Sequence, residues 1–226
     1  MVREIDGRRK MKGVLEALRR MYGPRPWQCW GRGVDILVET ILSQNTSNAN
    51  SSAGFRRLRR RFRSWNQVMN AAVEEVEKCI RISGLSRVKA PRIQSILRQI
   101  KADQGKIDLE FLKERSAEDA YEYLMRFDGV GPKTANCVLL FSFGMPVFPV
   151  DTHIHRIAIR LGLIPERSSP EEAHRLLKEM IEPEHRYEMH ILLIEHGRRT
   201  CKARSPVCER CELVAMCPYG RSRKGG

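Results

Sequence analysis

The turn Asp128-Gly129-Val130-Gly131-Pro132 narrows what this chain can fold into more than any other stretch. It separates two segments of helical character, Ala117 to Arg126 and Lys133 to Gly144. Glycine at 129 and 131 admits positive φ and a close backbone approach, and Pro132 suits a first helical position, where a missing N–H costs nothing. The pattern predicts a helix-hairpin-helix. Amides of such a hairpin, at a positive helix N-terminus, can meet an anion such as a DNA phosphate, which makes Gly129, Val130, Gly131 and Thr134 candidate contacts. The alternative is an ordinary turn in a helical bundle.

Lys133 follows at once. It lies in the first turn of the second helix, where the dipole disfavours a cation by ~0.3–1 kcal/mol, and a neutral amine is a nucleophile. A lysine that holds phosphate as a plain point charge fits the same position. Further on, Asp151 ends the apolar run from Pro146 and precedes an apparent helix start, Thr152 to Arg156. A capping aspartate and a catalytic carboxylate both suit that place, and neither role excludes the other.

Near the C-terminus stand Cys201, Cys208, Cys211 and Cys217, spaced Cys-x6-Cys-x2-Cys-x5-Cys. Four thiolates this close can wrap one metal centre, either tetrahedral zinc or an iron–sulfur cubane. A single Cys-x2-Cys knuckle favours the cluster, since structural zinc usually presents two. The first loop of the motif, Lys202 to Val207, is basic and tethered at both ends, so Lys202 and Arg204 become candidate phosphate contacts at reduced ordering cost. The isolated Cys29, Cys79 and Cys137 read as small buried packing residues. No disulfide framework is expected of seven cysteines in a chain read as intracellular.

A net charge of +14 over 226 residues points to a polyanionic partner, because clustered Lys and Arg release counterions from nucleic acid. No apolar run reaches the ~20 residues of a membrane span, and MVREIDGRRKMK lacks the apolar segment of a signal peptide. Nucleic acid is therefore the expected partner, no membrane is expected, and the expected place is the cytoplasm, associated with the nucleoid. The arginine-rich run Phe55 to Arg63 is either a further backbone contact or a solvated helix face.

The fold class read from periodicity is all-α, in two interleaved helical lobes. Helices are expected over Arg8 to Tyr22, from Asp35 through the apolar run ILVETILS, over Val73 to Ile82, and over Val88 to Ala102 with Ile93, Ile96, Leu97 and Ile100 inward. Gln44 to Asn50 is a polar loop able to offer amides to base edges, with Asn50 or Ser51 as the next cap. Ser83-Gly84-Leu85-Ser86 is a turn. Trp27 and Trp30 read as core or interlobe packing, and His174, His185 and His190 as surface or core histidines. No alternating strand, internal repeat or low-complexity linker is evident.

Leu124 through Ala135, followed by Val150-Asp151-Thr152-His153, resembles the helix-hairpin-helix, Gly/Pro-rich loop and aspartate signature of the endonuclease III superfamily of DNA glycosylases. The resemblance extends from Ile36 to Tyr219, and the cysteine spacing matches the family's [4Fe-4S] loop residue for residue. It implies a six-helix barrel domain over 28–145 that carries the hairpin. It also implies an iron–sulfur domain built from 1–27 and 146–226, with a cleft between the two. By the same resemblance Lys133 marks the bifunctional glycosylase/AP lyase branch and Asp151 assists it. Gln44 of a Gln-x-Thr element, Leu85 of a Gly-Leu turn and His153 would fill the gap left when a damaged base, an oxidised pyrimidine by the usual preference of the branch, leaves the stack. The substrate would be duplex DNA with damaged bases or abasic sites, and the protein a monomer. Ser86, where larger side chains are frequent, and His155 depart from the pattern and leave lesion choice open. A monofunctional glycosylase for alkylated bases or uracil/thymine mispairs, and a noncatalytic metal-stabilised DNA-binding module, are the rival readings.

Overall fold

A computed structural model describes residues 2–224. Among the described residues there is no strand, and the α-helices are α1 (Val2–Tyr22), α2 (Gly33–Ser43), α3 (Asn48–Arg61), α4 (Trp65–Asn70), α5 (Val73–Ile80), α6 (Ser86–Gln104), α7 (Ala117–Met125), α8 (Pro132–Phe143), α9 (Thr152–Arg160), α10 (Pro170–Met180), α11 (Arg186–Arg199) and α12 (Pro218–Lys224). The all-α expectation is met. The chain divides into two compact units, one of Met1–Gln28 with Pro146–Gly226 and one of Cys29–Met145.

The Cys29–Met145 unit is built around α2. Its Leu37, Val38, Ile41 and Leu42 are buried, and it packs between α3 and α8. Each such side chain contributes ~1.5–3 kcal/mol of transfer free energy. Along α6 the inward set is Ile93, Ile96, Leu97 and Ile100, the helical spacing read from the sequence. Helix α3 starts earlier than expected: Ser47, not Asn50 or Ser51, is its cap and accepts from the Asn50 N–H at 3.3 Å. A serine hydroxyl one residue before the first turn reaches that amide directly, and Ser51 instead turns inward and is buried.

In the other unit, Val14, Leu15 and Leu18 of α1 pack with Ile154 and Ile157 of α9 and Leu192 of α11 in one core cluster. This joins the two separated chain segments.

Two packing expectations need correction. Trp27 and Trp30 are 47% and 52% exposed. For Trp30 one face stacks on Phe141, with centroids 4.2 Å apart, so the indole is half covered without entering a core. Cys29 is exposed and Cys79 half-buried, leaving only Cys137 of the three as a buried packing residue. Cys29 lies just beyond two prolines, in a segment without regular structure, where little else covers it.

Helix α3 meets the short turn that follows α5, Arg81–Ser83, closely at Gly54. A Cβ built there would lie 2.1 Å from Ser83 Oγ, and Ser83 is wholly buried with its hydroxyl donating to Asn50 O at 3.2 Å. Gly54→Ala therefore exchanges a helix-propensity gain of about 1 kcal/mol for an overpacking cost of ~1–3 kcal/mol. The expected net result is a lower melting temperature, checked by thermal unfolding, and Ser83→Ala added to it should recover part of the loss.

Candidate functional site

The hairpin forms as the sequence predicts, with a difference at its second glycine. Gly129 has φ +74°, whereas Gly131 has φ −102° and ψ −179°, an extended conformation open to any residue. A Cβ at 131 would meet nothing within 4 Å. The left-handed requirement therefore falls on Gly129 alone, and Gly131 serves as the N-cap residue of α8, ahead of Pro132 at the first position. The Val130 N–H closes the turn on Phe127 O at 3.0 Å. Residues that begin a helix have no carbonyl one turn back, so the first amides of α8 stay free for an outside acceptor. Thr134 is buried and Lys133 half-buried beside them, and the Lys133 side chain has no hydrogen-bond or ion-pair partner among the described residues.

Other elements of the same unit lock the hairpin in place. From α6, Arg92 Nε donates to Asp128 Oδ2 at 3.1 Å, and its guanidinium covers Gly129 so closely that a Cβ there would meet Nε at 2.2 Å. From the end of α2, Gln44 Nε2 donates to Gly129 O at 3.0 Å. Gln44, Gly129 and Thr134 thus share one place, as two stretches far apart in sequence. Leu85 is the N-cap residue of α6 in the left-handed region, φ +50°, and is 54% exposed. Left-handed backbone at a non-glycine residue costs ~1–3 kcal/mol and persists only where surroundings impose it. Behind Leu85 lies a residue the sequence reading passed over. Lys89 is 1% exposed, and its ammonium donates to Leu42 O at 2.8 Å, Gln44 O at 2.7 Å and Ser83 O at 2.8 Å. Burial holds this ammonium below the usual lysine range.

In the other unit Asp151 caps α9, its Oδ1 accepting from the Ile154 N–H at 2.8 Å. The approach to it is held by two histidines for which sequence spacing suggested no role. His174 Nε2 accepts from the Val150 N–H at 2.9 Å while Nδ1 donates to Pro170 O at 2.7 Å, and His190 Nδ1 donates to Pro149 O at 2.9 Å. Burial lowers the His174 pKa, which favours the neutral tautomer that these two bonds require. His153 is half-buried, its Nδ1 3.2 Å from Arg156 Nη2. It lies against Gly197, where a Cβ would meet its own Cβ at 2.8 Å.

Arginines of α9 reach the cysteine segment. Arg156 Nη2 donates to Cys201 O at 2.8 Å and Gly197 O at 3.1 Å, and Arg160 donates to Lys202 O at 2.7 Å and Ala203 O at 3.0 Å. Lys202 and Arg204 are exposed on the loop so held. Cys201, Cys208, Cys211 and Cys217 all line one cavity, otherwise mainly apolar, with Leu161, Leu213 and Tyr219 among its walls. No group of three or more His, Cys, Asp or Glu is arranged to hold a metal ion among the described residues. The donors around the sulfurs nevertheless suit thiolate ligands. Arg160 Nη1 points at Cys201 Sγ at 3.3 Å, and the Gly220 N–H points at Cys217 Sγ at 3.3 Å. Burial pushes the Cys211 thiol up to about 11 and raises that of Cys217 as well, so thiolates in this pocket require a positive partner. The residues present therefore fit a soft, thiolate-bound cationic group.

Residues 38–183 match the profile of the HhH-GPD superfamily, base excision DNA repair proteins. Over 188 residues the chain is 36% identical to a DNA glycosylase candidate of Arabidopsis thaliana, a match covering 83% of this chain and 61% of that longer protein. It is 35% identical over 191 residues to the endonuclease III of Thermotoga maritima, covering 84% of this chain and 85% of that one. Its fold is similar to the structure of a trapped endonuclease III–DNA covalent intermediate, with a TM-score of 0.81, 29% identity, and 96% and 98% of the two chains covered. A helix-hairpin-helix DNA glycosylase of base excision repair is the class these findings define. The chain belongs to the HhH-GPD superfamily and, within it, to the endonuclease III family of base-excision glycosylase/AP lyases.

The capping role of Asp151 can be separated from any chemistry its carboxylate performs. Asparagine caps as well as aspartate, so Asp151→Asn should leave chemical denaturation unchanged, whereas Asp151→Ala should lose about 1 kcal/mol.

Proposed function

We propose that this chain removes damaged pyrimidines from duplex DNA and nicks the resulting site, with Lys133 as nucleophile and Asp151 as its carboxylate. The observation that carries this reading is the position of Lys133, an unpartnered amine in the first turn of α8 beside the hairpin amides. A phosphate held by the amides of Gly129, Gly131 and Thr134, with the Val130 N–H kept for closing the turn on Phe127 O, places the adjoining sugar near that amine. The Lys133 nitrogen bonds to C1′ as the C1′–base bond breaks, and the base departs with a proton. Asp151 balances the charge that develops on the sugar, takes up the proton the amine sheds and passes it to the departing base. Opening of the sugar ring gives a Schiff base. Loss of a C2′ proton then expels the 3′-phosphate, which breaks the strand. Gln44, Leu85 and His153 occupy the space the extruded nucleotide vacates, offsetting the few kcal/mol that extrusion costs.

We assign the Cys29–Met145 unit to the hairpin-bearing barrel, and the unit containing the cysteines to a cluster domain. Cys201, Cys208, Cys211 and Cys217 would hold a [4Fe-4S] cluster, which supplies a cross-link between thiolates and no redox step in the cut. Arg156 and Arg160 fix the same loop from α9, so Lys202 and Arg204 meet backbone phosphates already ordered. The protein works as a monomer in the cytoplasm, on the DNA of the nucleoid.

Two measurements test this assignment. With duplexes carrying single oxidised pyrimidines, borohydride should trap a covalent protein–DNA adduct with the wild type and none with Lys133→Gln, while Asp151→Asn should bind DNA as before and react slowly. An untrapped wild type that still releases base would make the enzyme monofunctional. Purified protein should absorb visible light and contain iron, and Cys211→Ser should lose both together with duplex affinity. A colourless protein with one zinc bound would contradict the cluster assignment.

A further inference from the structure

A lysine in the first turn of a helix is opposed by that helix's own dipole, and Lys89 occupies that position in α6. It is also almost wholly removed from water. Both penalties are offset because its three N–H groups meet three carbonyls that no helical turn can satisfy. Leu42 O and Gln44 O belong to the C-terminal end of α2, and Ser83 O ends the short turn before Gly84. One ammonium therefore joins the ends of two chain segments about forty residues apart.

Those segments carry two of the three side chains assigned to the gap, Gln44 and Leu85. Gln44 accepts Lys89 through its own carbonyl, which leaves its side-chain amide to bond Gly129 O. On the other side, Ser83 is followed by Gly84 at φ +66° and Leu85 at φ +50°, and Lys89 N–H returns to Leu85 O at 2.9 Å. Asn45, next to Gln44, is left-handed as well, at φ +54°. The two loop tips thus both use backbone conformations that demand external support, and both rest on the same side chain.

We propose that Lys89 is a positioning residue that sets the Gln44 loop and the Leu85 turn in mutual register, so that the two side chains enter the DNA gap as one preformed wedge. The inference rests on the gap-filling assignment of Gln44 and Leu85. A preformed wedge matters only where a stacked duplex must be held open, because a single strand has no gap to fill.

The test compares single-turnover nicking of an abasic site in duplex and in single-stranded oligonucleotides, using the full chain. With Lys89→Met the duplex rate should fall by about tenfold or more relative to the single-strand rate, as expected for the loss of preorganisation. A purely structural role would reduce the folded fraction and lower both rates by one factor, leaving their ratio unchanged; that result overturns the inference. Leu85→Ala and Gln44→Ala should each lower the same ratio, and adding Lys89→Met to the pair should change it little further, because all three act as one unit. Independent, multiplicative effects would contradict a shared wedge. Should Lys89→Met fail to fold, Lys89→Gln, which keeps a donor for one of the carbonyls, is read by the same ratio. If Leu85→Ala and Gln44→Ala leave the ratio untouched, the gap-filling assignment falls and the inference with it. If they lower it and the Lys89 variants do not, only the inference falls.

Discussion

A helix that begins at Pro132 leaves its first amide hydrogens without carbonyl partners, and the candidate site of the Cys29–Met145 unit is organised by that constraint. In the function proposed, an anion would satisfy those hydrogens and a lysine in the same turn would come within reach of whatever the anion is attached to, while the surrounding elements hold the turn still. Arg92 covers Gly129 and grips Asp128, and Gln44 bonds the Gly129 carbonyl. The hairpin is thus preorganised in the sense that matters for phosphate binding, since little ordering remains to be done when DNA arrives.

The cysteine segment achieves similar order by different means. A loop of Lys202 to Val207 carrying Lys202 and Arg204 repels itself and would be mobile in isolation. Arg160 takes its carbonyls at Lys202 and Ala203, Arg156 takes that of Cys201 just before it, and the thiols at its ends share a cavity with Cys211 and Cys217. The helix that supplies the arginines is the one Asp151 caps, so the carboxylate and the basic loop are parts of one rigid arrangement within their unit. His174 and His190 extend this by fixing Pro149 and Val150 just ahead of the aspartate.

Helical periodicity made the all-α class and most helix positions legible, because burial on one face leaves a spacing that a reader can count. The inward set of α6 and the hairpin between α7 and α8 are of this kind. Cysteine spacing was legible for the same reason, as a local pattern with few alternatives. What stayed hidden depends on contacts distant in sequence. Lys89 reads as one more polar residue until the ends of α2 and the Ser83 turn close around it. Arg92 and the two histidines are equally silent, since a hydrogen-bond partner distant in the chain leaves no mark on sequence. The second hairpin glycine misled in the opposite direction: residue type suggested a left-handed backbone, and only the chain's path shows that Gly131 is extended. Likewise, Trp27 and Trp30 have the composition of a core but lie in an irregular segment that leaves each about half exposed.

The measurement that tests the account most directly is the location of the bond between protein and DNA. After borohydride reduction of a wild-type reaction on a lesion duplex, proteolysis and tandem mass spectrometry should find the sugar remnant on the Lys133 side chain. Attachment at any other residue, or base release with no remnant on the protein, would contradict it.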